Sequence, residues 1–199
     1  ASSLEELREA LTRAIAAVEQ PPAFDVSALS DQEELPLTVK NLYYGILSDN
    51  RTYSYAYDLN AELGADGLLR CTISYMPYRT GAYPDGFQGV EVDSLSALLQ
   101  AAQEGLDQES ISIRITDPSL VVDDMNKALQ QVGGSYLHCQ LSRDGTAITV
   151  TPQGGLNHEE ALARLAETEA LAEQIYQQTV TAGMSQREQA QALYTWLTD

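Results

Sequence analysis

The sequence predicts an α+β fold: a mostly antiparallel five-stranded sheet covered by helices, followed by a C-terminal helical pair. Three observations carry this expectation. Residues 53–75 alternate apolar and polar positions on either side of a Gly64–Gly67 turn, the signature of a hairpin. From Leu95 to Val150 the period switches in the order helix, strand, helix, strand, strand. After the break at Pro152–Gly155, roughly 25 residues read as continuous helix. The chain accordingly divides into residues 1–152, an α+β domain with N-terminal helices, and residues 153–199, a long helix followed by a second one.

Each element has its own local reason. Ser3 and Glu6 make a capping box, and Leu4, Leu7, Leu11, Ile15 and Val18 then line one helical face until Pro21-Pro22 ends it. A polar connection from Ser27 to Pro36 leads to a second helix with Val39, Leu42, Tyr43 and Ile46 inward, closed by Ser48-Asp49-Asn50. Tyr53, Tyr55, Tyr57 and Leu59 alternate as a strand, Leu69, Cys71, Ile73 and Tyr75 return, and Pro77 ends the pairing. Arg79 to Gly89 reads as a loop carrying Tyr83 and Phe87.

Ser94 opens a helix with Leu95, Leu98, Leu99 and Ala102 inward, ending near Gly105. Ile111, Ile113 and Ile115 form a strand face. Asp117-Pro118-Ser119 starts a helix with Met125, Ala128, Leu129 and Val132 inward, and Gly133-Gly134 stops it. Tyr136–Leu141 and Thr146–Val150 are strands joined by the Ser142–Gly145 turn. Asn157 caps the long helix, whose stripe is Leu162, Leu165, Leu171, Ile175 and Tyr176. Gly183 closes it, and Ser185 with Glu188 opens a last helix bearing Leu193, Trp196 and Leu197. That helix has a written start and no stop signal, so its apolar partners are expected in a following module.

Charge and composition exclude several functions. A net charge of −18, spread along the chain without a block, repels nucleic acid, whose binding depends on Lys and Arg neutralising phosphate. Anionic membrane surfaces are disfavoured for the same reason, and no apolar run is long enough to insert into a bilayer. The acidity itself is explained by solubility. No EF-hand pattern or metal-ligand spacing is present, and no cofactor motif is found.

Catalytic constellations are also missing. Cys71 and Cys139 each sit in a strand, as buried thiols or, if their strands are neighbours, as a disulfide. His138 and Cys139 are strand neighbours that point to opposite faces, and a dyad requires His158 to fold back onto that strand. The acidic pairs Glu5-Glu6, Glu33-Glu34, Asp123-Asp124 and Glu159-Glu160 fall in helix openings or polar connections, where solvation and the helix dipole explain them. No residue is assigned a catalytic or metal-binding role.

The tyrosines are the most suggestive cluster, since most of them fall between Tyr43 and Tyr83. Tyr53, Tyr55 and Tyr57, on one strand face, either pack under a helix or form an exposed stripe; Tyr83 and Phe87 are the loop candidates for contact with a ligand. On this reading the protein is a binding module for cell-wall glycan or peptide.

The final segment, a Ser-capped helix with Tyr194, Trp196, Leu197 and Asp199, resembles the opening helix of bacterial transglutaminase-like, papain-related domains. The long helix before it, the Leu42-Tyr43-Tyr44 helix, the Tyr-rich strand and residues 95–150 resemble the region preceding that core in exported Firmicutes proteins. In that family the catalytic Cys, His and Asp follow this helix, so neither Cys71 nor Cys139 takes the role. The resemblance implies a non-catalytic accessory domain of a secreted or cell-surface protein. It would position or shield a downstream domain of the same polypeptide, with Tyr194, Trp196 and Leu197 as contacts to that module.

Overall fold

The computed structural model describes residues 1–30 and 32–198. Asp199, the last residue of the Tyr194–Asp199 motif, lies outside them. The fold is α+β, as the periodicities predict, but the described residues form seven strands rather than five, divided between two sheets.

Helix α1 (Leu4–Ala17) starts where Ser3 Oγ accepts the Glu6 amide, and buries Leu7, Leu11, Ala14 and Ile15. It ends on Val18 in the left-handed region, φ 56°, a strained place for a β-branched side chain. Strand β1 (Phe24–Asp25) and a 3₁₀ turn lead to α2 (Leu35–Asp49), which has Pro36 in its first turn and buries Leu35, Val39, Tyr43 and Ile46. Strands β2 (Ala56–Leu63) and β3 (Leu68–Tyr75) form the expected hairpin, and β1 adds antiparallel to β3 in the order β1-β3-β2. Helix α2 packs on β2 and on α1.

A single helical turn, α3 (Pro77–Thr80), leads to β4 (Val90–Val92), α4 (Leu95–Glu104), β5 (Ser110–Ile115), α5 (Val122–Leu129), β6 (Leu137–Leu141) and β7 (Ala147–Pro152). The second sheet runs β4-β5-β7-β6; β4 is parallel to β5 and the other pairs are antiparallel. In the first sheet β3 is central, and in the second β5 and β7 are, so β1, β2, β4 and β6 are the edges. The Asp117–Ser119 segment does not open α5 as expected. The Asp117 carboxylate accepts the Ser119 amide at 2.8 Å, closing a local turn, and the helix begins at Val122.

One continuous cluster of buried side chains runs through both sheets. Polar ties reinforce the junction. Arg143 in the β6–β7 turn pairs with Asp58 of β2 at 2.9 Å. Gly145 of the same turn, at φ 71°, lies so close to Met76 that a Cβ would meet its sulfur at 2.8 Å. Only glycine satisfies both the turn and that approach.

Helix α6 (His158–Thr179) is opened by a complete capping box between Asn157 and Glu160. It buries Ala161 and Leu165 in the body and nothing beyond. Past Leu165 the helix buries no further side chain; the Tyr136 and Thr168 hydroxyls, 3.1 Å apart, still tie it to the body, and α7 (Gln186–Thr198) folds back along it as the second half of an arm. No residue of α7 is buried.

Candidate functional site

The strand tyrosines do not make a stripe. Asn50 accepts the Thr52 amide at 3.1 Å and holds Arg51–Tyr53 in a 3₁₀ turn, so Tyr53 precedes the sheet. Tyr55 also lies before β2, and a register shift between Ala56 and Asp58 takes Tyr57 out of the alternation. Tyr55 is buried, while Tyr53 and Tyr57 are half-buried against the core.

Most of the cluster acts through its hydroxyls. Tyr43 donates to the Ala56 carbonyl at 2.5 Å, joining α2 to β2. Tyr55 donates to Ile15 at 2.9 Å and Tyr75 to Glu19 at 2.6 Å, so both phenols meet carbonyls at the C-terminal end of α1. Tyr78 donates to Leu120 at 2.9 Å, tying α3 to the turn before α5. Glu19 lies just past the end of α1 and Leu120 in a turn, where carbonyls lack helix or ladder partners; Ile15 already accepts the Val18 amide, and the tyrosine bond adds to it. Burial raises the pKa of Tyr43, Tyr55 and Tyr75, and pushes that of Tyr78 up to about 12. They are neutral donors, suited to structure rather than to proton transfer.

Tyr83 and Phe87 stack with ring centres 5.2 Å apart and are half-buried. The Tyr83 hydroxyl accepts the Ile115 amide at 2.9 Å and donates to the Ile115 carbonyl at 3.1 Å. Ile115 lies past the part of β5 paired with β7, so Tyr83 supplies the partners the ladder no longer provides. The Arg114 guanidinium lies over the Tyr83 ring, 4.9 Å from its centre. This loop pair therefore has a hydroxyl already engaged.

The cysteines are free and buried; no disulfide joins them. Burial raises Cys71 to about 11 and raises Cys139 in the same direction, opposite to what a nucleophile needs. His158 does not turn toward Cys139. Its Nε2 bonds the Leu106 carbonyl at 2.7 Å, and its buried Nδ1 has no partner among the described residues. The acidic pairs at residues 5–6, 123–124 and 159–160 occupy the first turns of α1, α5 and α6. Among the described residues, no group of three or more His, Cys, Asp or Glu side chains is placed to hold a metal.

The arm has a different character. Ala172, Ile175 and Tyr176 of α6 face Leu193, Trp196 and Leu197 of α7 across a cleft of 380 Å³. Helical spacing places each trio on one stripe. Among the described residues a thin polar set closes the hairpin, including Tyr176 donating to Gln189 at 3.2 Å and Gln189 donating to the Met184 carbonyl at 3.0 Å. Trp196 remains 47 % exposed, Leu197 74 %, Tyr194 63 %, Leu171 57 % and Tyr176 41 %. A helix pair of this length is marginal when it packs only on itself.

A second concavity, missed by sequence reasoning, lies where α1, the 3₁₀ turn, α3 and the turn before α5 converge. Tyr53, Tyr55, Arg79, Ser119 and Leu120 line a cleft of 370 Å³. The Arg79 guanidinium stacks over Tyr55, 4.2 Å from the ring centre, and donates through Nη1 to the Pro118 carbonyl at 2.6 Å. A faint signal was present: Arg79 is the one basic residue between Arg70 and Arg114. Its significance rests on side chains from distant segments, which no local pattern announces.

Fold and surface define an α+β body bearing a helical arm with an uncovered apolar face. Compared with known protein families, curated proteins and solved structures, the chain matches none.

Proposed function

We propose that this chain is a non-catalytic accessory domain of a secreted or cell-surface transglutaminase-like protein. On this reading the α6–α7 arm holds the enzyme module, which belongs to the same polypeptide. The single observation that carries the proposal is the arm's unspent apolar surface. Trp196, Leu197, Leu171, Tyr176 and Tyr194 stand exposed on helices that bury nothing in the body beyond Leu165. Covering each half-exposed side chain would contribute roughly 1 kcal/mol, at about 25 cal/mol per Å². The resemblance of the Tyr194–Asp199 segment to the first helix of that enzyme family supplies the identity of the cover. The buried thiols, and tyrosines already committed to backbone carbonyls, favour a scaffold over a reaction centre.

The test is the natural polypeptide. A continuation past Asp199 that contains a Cys opening a helix, followed by a His and an Asp, supports the proposal; a stop codon there, or a continuation without that order, overturns it. Within such a polypeptide, the double variant Trp196→Asp and Leu197→Asp should lower the melting temperature of the enzyme module and leave that of the body unchanged. Equal melting of module and body in variant and parent would remove the arm from the docking role.

A further inference from the structure

We propose that the Arg79 cleft is a binding site for a carboxylate carried on a small ligand, such as the chain end of a short peptide. The inference is independent of the role assigned to the arm.

The first observation is an arginine without a counter-charge. The chain carries 29 acidic and 11 basic residues, so an arginine near the surface has an excess of candidate partners. Arg8, Arg51, Arg70, Arg143 and Arg164 each have one. Arg79, like Arg13, Arg114 and Arg187, has no carboxylate within ion-pair distance among the described residues; what sets Arg79 apart is that it lines a cleft while held on Tyr55 and Pro118. Among the described residues its guanidinium donates through Nη1 to Pro118 and rests on Tyr55, which leaves further guanidinium donors to the cleft or to water.

The second observation is preorganisation. The guanidinium is fixed on one face by the Tyr55 ring and at one corner by the Pro118 carbonyl. Tyr55 is itself held by its bond to Ile15, and neighbouring Tyr78 by its bond to Leu120. A fork held this way loses little side-chain freedom when it takes a carboxylate, the planar acceptor its geometry fits best.

The third is the character of the walls. Tyr53 meets Tyr55 edge-on, with centres 6.3 Å apart, and gives the cleft an aromatic side. Tyr53 and Ser119 are among the lining residues, and their hydroxyls have no hydrogen-bond partner among the described residues. The acids nearest in sequence are otherwise engaged: Asp117 accepts the Ser119 amide, and Asp123 pairs with Arg51 at 3.5 Å. A volume of 370 Å³ suits a residue or two of peptide rather than a folded partner.

The experiment uses the full chain, ¹⁵N-labelled and followed by NMR, titrated with N-acetylglycine and separately with its neutral amide, N-acetylglycinamide. The acid should cause saturable shifts at the Arg79 side chain and at the Ser119–Val121 amides, with millimolar affinity, and the amide should not. Arg79→Lys keeps the charge but loses the fork, and should weaken binding at least about tenfold, the loss expected for one charge-assisted hydrogen bond. Ser119→Asp, at an exposed turn position, brings a carboxylate into the cleft and should weaken binding as strongly. It also serves where Arg79→Lys disturbs the fold. Equal shifts with acid and amide, shifts confined to other regions, no saturable shift, or unchanged affinity in a folded variant would overturn the proposal.

Discussion

Helix α6 passes through two environments, and its two halves make the most informative comparison in the molecule. The N-terminal half sets Ala161 and Leu165 into the body, where neighbours cover them. Less than two turns later Leu171 sits on the same helix with more than half of its surface in water. Both halves carry an apolar stripe of the same period, so the sequence makes the same demand in both. What differs is whether the rest of the chain meets it. An amphipathic stripe specifies that a partner is needed, and the tertiary structure decides whether that partner belongs to the same fold.

The comparison can be broken by substitution. The largest effect is expected in the body: Leu98→Ala, at a fully buried position of α4, should cost about 2–5 kcal/mol, read as a fall in the urea midpoint at constant slope. A cost below 1 kcal/mol would mean that the body is packed no better than the arm.

Next comes pH. Burial raises the Cys71 thiol from 9.0 to about 11, so the folded state favours the neutral form. That contribution is complete below pH 9 and is lost as pH rises through about 11, because the unfolded chain gives up its proton first. Stability should therefore fall by roughly 2 kcal/mol between about pH 9 and 11, and Cys71→Ala should flatten that part of the profile. Tyr78, raised to about 12, extends the decline upward. A profile unchanged by Cys71→Ala would show the thiol to be in contact with water.

Tyr43→Phe should cost about 1–2 kcal/mol, since it strands the Ala56 carbonyl in the core, and should release local hydrogen exchange where α2 meets β2. The smallest effect belongs to the arm. Leu197→Ala should change the stability of this chain by less than about 0.5 kcal/mol, measured by the same urea titration. A loss as large as that of Leu98→Ala would erase the distinction between the two regions.

Legibility followed locality. The helix starts at Ser3, Ser94 and Asn157, the turn at Ser142–Gly145 and the hairpin about Gly64–Gly67 were readable because caps, turns and alternation are written within a few residues. Strand β4 was not, because Val90–Val92 becomes a strand only through its parallel pairing with Ile113–Ile115, across an intervening helix. The Tyr53–Tyr57 alternation misled for the opposite reason. Asn50 and a bulge impose a local geometry that overrides the period-two pattern. The exposed position of Trp196 could be anticipated from its helix, whereas the Arg79 cleft needed segments from α1 to the turn before α5 to be brought together.

Trp196, the chain's one indole, sits in the last turn of the least supported element. Intrinsic fluorescence excited selectively at the indole will therefore report fraying of α7 and remain nearly silent about the two sheets. A thermal melt followed that way would register an early transition while circular dichroism still showed an intact β-signal. The gap between the two optical signals measures how far the arm depends on something outside itself.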